Sequence, residues 1–123
     1  MKLIERPTYL QQLIDVMNTP DIKVITGIRR SGKSKLMDAF IDYVKKQSEN
    51  NNVIRIKLNL KEFESLKKGD ALYYYIDQHY SADKENFVFV DEIQLCTGFE
   101  TVINSLYEEE RFNIFLTGSN AFL

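Results

Sequence analysis

The chain has 123 residues, of which 44% are apolar and 28% charged, a composition typical of one small globular domain rather than of a disordered segment. Its 16 basic and 18 acidic residues give a net charge of -2, which disfavours a nucleic-acid binder, because such domains are usually basic. Cys96 has no partner for an internal disulfide, and no apolar run is long enough for a membrane span or a signal peptide, so we expect a cytoplasmic protein.

Helical and strand patterns alternate along the chain. Apolar residues at helical spacing predict helices over 7–18, 34–46, 70–80 (with Asp70 as its cap) and from Phe99 to Leu106. Short apolar runs predict strands over 22–26, 53–58, 87–90 and 112–116. Strand 53–58 alternates and suits a sheet edge, whereas strand 87–90 is apolar on both faces and suits the centre. The alternation predicts an α/β fold, with helices on both faces of a mostly parallel sheet.

A glycine-rich segment lies between the first predicted strand and the helix that follows it. It reads Gly27-Ile28-Arg29-Arg30-Ser31-Gly32-Lys33-Ser34, with Lys35 next, and matches the phosphate-loop pattern GxxxxGK[ST]. The glycines permit the turn, and backbone N–H groups at a helix start bind an anion. Lys33 would contact the β- and γ-phosphates of a nucleotide, and Ser34 would ligate Mg²⁺. We therefore predict nucleotide binding by residues 27–35, with a chance glycine-rich turn as the alternative.

The arginine pair within this segment has two interpretations. Arg29 and Arg30 would raise the local potential for a triphosphate or contact a partner subunit. Alternatively, they are solvated side chains at the tip of the loop.

Two acids follow the central predicted strand directly. Asp91 and Glu92 would therefore lie at the carboxyl edge of the sheet, where α/β proteins bind ligands. Asp91 is predicted to hold Mg²⁺, and Glu92 to accept a proton from, or orient, the attacking water. A glutamate at this position favours nucleotide hydrolysis over transfer to a small acceptor. The alternative is a strand that ends in solvated acids.

The last predicted strand ends in a polar segment. Ser119 or Asn120, with Thr117 behind them, is the candidate to contact the γ-phosphate or the attacking water. Ordinary turn chemistry explains the same residue types equally well.

These segments together resemble a family of prokaryotic AAA-type (AAA+-like) P-loop ATPases with an arginine-pair phosphate loop. The similarity lies in residues 25–34, 91–94 and 116–121, with a similar lead-in at 5–10. It implies ATP and Mg²⁺ as ligands and a sensor role for Ser119 or Asn120. It also implies that strand 112–116 lies between the phosphate-loop strand and strand 87–90, with strand 53–58 outermost.

The resemblance also implies elements that the sequence does not reach. Such ATPases continue into a fifth strand, a helical lid and usually a further domain, so residues 1–123 are expected to be a core with weak hydrolysis by itself. Arg111 is interpreted as a solvated residue and not as an arginine finger. A homo-oligomer or a partner domain is possible in such a system. The rival functions are a non-hydrolysing nucleotide switch acting through a partner and a small-molecule phosphotransferase.

Overall fold

The computed structural model describes residues 2–4, 9–26 and 30–118. Five of the predicted site residues lie outside this part of the chain: Gly27, Ile28, Arg29, Ser119 and Asn120. The lead-in segment 5–8 also lies outside it.

One parallel sheet organises the described residues. Its strands are β1 Lys2–Ile4, β2 Lys23–Ile25, β3 Asn51–Lys57, β4 Glu85–Asp91 and β5 Asn113–Thr117. Their order across the sheet is β1-β2-β5-β4-β3, and every neighbouring pair is parallel. β5 therefore lies between β2 and β4, and β3 is an edge strand, as predicted. β1 forms the other edge and was not predicted, because three residues are too few to show a periodic pattern.

In the described ranges, four α-helices connect the strands. They are α1 Tyr9–Val16, α2 Arg30–Gln47, α3 Gly69–Gln78 and α4 Phe99–Glu109, and two short 3-10 helices cover Lys61–Leu66 and Ile93–Leu95. Among the described residues, no helix is both long and apolar enough to cross a membrane.

Two helix starts differ from the sequence prediction. α2 begins at Arg30 and not at Ser34, so the second half of the glycine-rich segment is already helical. Asp70 is not the cap of α3: the cap is Lys68, which is extended and makes no side-chain capping bond. Asp70 lies in the first turn, where its carboxylate still interacts favourably with the helix dipole.

Helices cover both faces of the sheet at its central strands, which confirms the predicted α/β architecture. Alternate residues of β4 point to opposite sides: Phe87 and Phe89 pack with the residues of α1 and α2, and Val88 and Val90 with those of α3 and α4. Phe115 of β5 stacks on Phe89, with ring centroids 4.9 Å apart. The near-continuous apolar sequence of β4 follows from this double burial.

Arg111 is packed, and its interpretation as a solvated residue is wrong. Its guanidinium lies 4.6 Å from the ring centre of Tyr80 and 4.8 Å from that of Phe112. It also forms an ion pair with Asp77 at 3.0 Å and one with Glu109. The side chain therefore ties the end of α3 to the segment that leads into β5.

Candidate functional site

Three separate segments meet at the carboxyl edge of the sheet. Lys33 extends from the first part of α2, and its Nζ donates a hydrogen bond to the carbonyl oxygen of Gly118, directly after β5, at 2.8 Å. The same Nζ lies 3.4 Å from Oε1 of Glu92, directly after β4. The Lys33 and Glu92 side chains are only 9% and 6% exposed. The parallel topology thus brings together two residues that the sequence analysis chose independently.

Glu92 has a backbone conformation that few non-glycine residues adopt. Its φ of 57° and ψ of 52° lie in the left-handed region, which typically costs about 1 to 3 kcal/mol. The backbone N–H of Glu92 donates to Oγ1 of Thr117 at 3.0 Å, and Nε2 of Gln94 donates to Oε2 of Glu92 at 3.1 Å. β5 and the turn after β4 therefore hold both the backbone and the carboxylate of Glu92.

Asp91 is the last residue of β4 and is buried. Its Oδ2 accepts a hydrogen bond from Nη2 of Arg55 at 3.0 Å, whereas its buried Oδ1 has no hydrogen-bond partner among the described residues. Burial raises the pKa of Asp91 above its ordinary value, and the nearby charges of Arg55 and Lys57 oppose this shift.

Arg55 and Thr117 contribute contacts that sequence reasoning did not assign to them. The alternating pattern of residues 53–58 predicts only that Arg55 lies on the exposed face of an edge strand, and Thr117 is predicted only to lie behind the sensor candidates. The parallel pairing of β3 with β4 and of β4 with β5 creates both contacts. The feature that could have identified Arg55 and Thr117 is their position on β3 and β5, the two strands that pair with β4.

The remaining predicted residues lie on α2. Arg30 and Ser31 form its start, and Gly32 and Ser34 are half-buried on either side of Lys33. The side chain of Lys35 is exposed. The helix therefore presents Lys33 to the acidic residues and leaves Lys35 in solvent.

The side chains predicted to hold magnesium, Asp91 and Ser34, carry the types of oxygen atom that this ion prefers. Carboxylate and hydroxyl oxygens are hard ligands, and nucleotide-bound Mg²⁺ needs only one or two protein carboxylates besides phosphate and water. The orphaned Oδ1 of Asp91 and the hydroxyl of Ser34 are donors of this kind. Within the described ranges, no group of three or more His, Cys, Asp or Glu residues could hold a metal.

The strand order, the lysine on the helix after β2 and the acidic pair at the end of β4 are together typical of a P-loop NTPase-like α/β fold. Residues 19–123 match the family model described as "AAA domain", and the chain belongs to this family. The predicted family resemblance is thereby confirmed, and it assigns the chain to nucleotide-binding, ATPase-like domains.

This chain is also similar to a longer protein. An uncharacterized protein of Haemophilus influenzae is 36% identical over 121 residues, which cover 97% of this chain. The chain spans only 30% of the length of that relative. No solved structure matches the chain at a significant level.

Proposed function

We propose that residues 1–123 form an ATP- and Mg²⁺-binding core that hydrolyses the bond between the β- and γ-phosphates. The observation that carries this proposal is the meeting of Lys33 with Glu92 at the carboxyl edge of the sheet. A lysine that can bind phosphate and a glutamate that can act on water are the two groups that this reaction needs beside each other.

Phosphate binding is assigned to residues 27–35. The start of α2 within this segment supports the assignment, because the first N–H groups of a helix lack internal partners and attract anions. Lys33 adds a full positive charge at the same place. The ammonium can exchange Glu92 and the Gly118 carbonyl for phosphate oxygens when nucleotide enters.

Magnesium is assigned to Ser34 and Asp91. When bound, the ion would neutralise charge on the β- and γ-phosphate oxygens. The unpartnered Oδ1 of Asp91 supports this role, since a buried carboxylate oxygen normally has a hydrogen-bond donor.

Glu92 is assigned to the attacking water. Its carboxylate is paired with Lys33 in this structure, and transfer of Lys33 to the phosphates would break this ion pair, so that Glu92 could accept a proton from water or orient it. The hydrogen bond from Gln94 would keep Oε2 in place during this exchange. Ser119 or Asn120 remains the proposed contact to the γ-phosphate, by family resemblance.

Calorimetric titration with ATP and Mg²⁺ tests the proposal. We expect Lys33→Met to weaken binding by about tenfold or more, because a hydrogen bond to a charged group contributes about 1.5 to 3 kcal/mol. Lys45→Met is the matched control, since Lys45 is an exposed lysine at the far end of α2. Equal ATP affinity in wild type and Lys33→Met would refute the phosphate-binding assignment.

A non-hydrolysing nucleotide switch is the second candidate. The two functions differ in whether bound nucleotide breaks the ion pair between Lys33 and Glu92, because this contact occupies the carboxylate that hydrolysis requires. Phosphate release during prolonged incubation with ATP separates the two functions. Binding without turnover above that of Glu92→Gln would identify the switch.

A further inference from the structure

We propose that Arg55 is a positioning residue for the metal-binding carboxylate: it fixes Asp91 so that one carboxylate oxygen stays available to magnesium. This inference rests on the proposed function. The structural basis is the juxtaposition of Arg55 on β3, Asp91 on β4 and Asp38 on α2.

The location of the Arg55 side chain is unusual for an edge strand. Arginines at sheet edges normally extend their charged ends into water. The Arg55 side chain is only 18% exposed and lies against the carboxyl end of β4. Removing a charge from water is costly unless it is paired, so this position is maintained by its two carboxylate partners.

The contact with Asp91 is one-sided. Nη2 of Arg55 donates to Oδ2 at 3.0 Å, although an arginine can bind both oxygens of a carboxylate at once. In the part of the chain that the structure describes, Oδ1 is buried without a hydrogen-bond partner, and so are Nε and Nη1 of Arg55. The pairing therefore fixes the orientation of the carboxylate while it preserves one oxygen for another ligand.

Arg55 also connects this carboxylate to the helix that carries the second proposed ligand. Nη2 lies 3.3 Å from Oδ1 of Asp38. Asp38 is one helical turn after Ser34 on α2. One guanidinium thus holds together the two elements that supply Asp91 and Ser34. Groups that orient metal ligands in this way typically change metal affinity by about 10- to 100-fold when they are mutated.

The test measures the affinity of the full chain for a non-hydrolysable ATP analogue by calorimetry, once with Mg²⁺ and once with EDTA. The ratio of the two affinities is the magnesium factor. We expect Arg55→Gln to reduce this factor about tenfold. The affinity in EDTA should stay within about twofold of wild type. Arg55→Lys should recover part of the effect, because one ammonium can pair with Asp91 but lacks the planar fork.

Lys57→Gln is the matched control. Lys57 is on the same strand and also influences Asp91 electrostatically. Loss of a positive charge by itself favours a divalent cation, so Lys57→Gln should leave the magnesium factor unchanged or raise it. A magnesium factor that falls in Arg55→Gln but not in Lys57→Gln therefore indicates that Asp91 has lost its positioning, and not only that a positive charge was removed.

Three results would overturn the inference. They are an unchanged magnesium factor in Arg55→Gln, an increased one, and an equal reduction in Lys57→Gln. If Arg55→Gln does not fold, as judged by circular dichroism, Arg55→Lys decides in its place: a wild-type factor overturns the inference and a reduced one supports it. If wild type itself binds no nucleotide, the proposed function fails, and this inference fails with it. That result differs from the three above, in which wild type binds nucleotide.

Discussion

At the scale of single residues, the contact between Lys33 and Glu92 controls the site. Nζ of Lys33 lies 3.4 Å from Oε1 of Glu92, and both side chains are almost fully buried. The Glu92 carboxylate therefore competes with any incoming anion for the Lys33 ammonium. If Lys33 binds phosphate as proposed, a nucleotide has to displace one carboxylate from the ammonium. The apparent affinity for nucleotide would then include the loss of this ion pair.

Glu92→Gln separates binding from hydrolysis. We expect the rate of phosphate release to fall by about 100-fold or more, because a general base typically contributes 10²- to 10⁴-fold. ATP affinity should stay equal or increase, since a neutral amide holds Lys33 less strongly. Steady-state phosphate release and calorimetry measure the two quantities.

Glu100→Gln is a suitable comparison for this variant, because Glu100 is an exposed acid in the first turn of α4. It should behave as wild type in both assays. An unchanged rate in Glu92→Gln would remove Glu92 from the mechanism.

The sequence predicts the main site residues because their motifs are local. Lys33 belongs to an eight-residue pattern, and Asp91 and Glu92 directly follow an apolar strand. The contacts of Arg55 could not be predicted in this way, because they depend on which strand pairs with β4 and on the side chain turning toward α2. Such contacts depend on tertiary structure and leave no periodic signal.

At the scale of elements, β2 contains a buried charge at its first residue. Lys23 is fully buried, its Nζ donates to the carbonyl oxygen of Thr19, and the ammonium lies 5.2 Å from the ring centre of Phe115. Burial lowers the pKa of Lys23 to about 8, although Asp21 acts in the opposite direction. The strand is therefore less stable with this lysine charged than with it neutral.

This shift predicts a pH dependence of stability. Below pH 8 both the folded and the unfolded chain carry the charge, and the folded state bears the full burial penalty. Between about 8 and the ordinary value of 10.5 only the unfolded chain retains the proton, so the contribution of Lys23 to stability rises with pH. Above 10.5 it is constant.

We expect Lys23→Met to be about 1 to 2 kcal/mol more stable than wild type at pH 7, after the lost hydrogen bond to Thr19 is allowed for. This advantage should shrink between pH 8 and 10.5. Urea denaturation at several pH values measures it, with the exposed Lys45→Met as control. A stability difference between Lys23→Met and wild type that does not change with pH would contradict the lowered pKa of Lys23 as its cause.

Strong periodicity explains which elements the sequence predicts. α4 repeats apolar residues at helical spacing, and β4 is apolar on both faces, so both were found. The start of α2 was misplaced because its first turn consists of motif residues that carry no apolar pattern. β1 consists of three residues and depends on pairing with β2.

At the scale of the whole molecule, nucleotide binding is linked to thermal stability. Free nucleotide at 100 times its Kd stabilises the folded state by about 2.7 kcal/mol, which for a domain of this size raises Tm by about 10 °C. Because the chain has no tryptophan, circular dichroism is the suitable probe. Lys33→Met should lose most of this increase at the same nucleotide concentration. An equal increase in both proteins would indicate a nucleotide site elsewhere.

The overall topology followed from the sequence only together with the family resemblance. Alternating helices and strands predict a parallel sheet, but they do not determine that β5 lies between β2 and β4. The apolar patterns of these strands are too similar to show which strand lies at the centre of the sheet. Hydrogen bonding between strands far apart in the chain decides the order.

The central position of β5 has a consequence for biosynthesis. Its neighbours β2 and β4 are both translated earlier, and Lys23 pairs with Phe115, so the sheet cannot close across its centre until the ribosome has released nearly all of these residues. Until then, the backbone N–H and C=O groups along the edges of β2 and β4 that face β5 are open to non-native pairing. Pairing between residues so distant in sequence is also slow. A nascent chain of this protein therefore has a long interval in which chaperones can bind it.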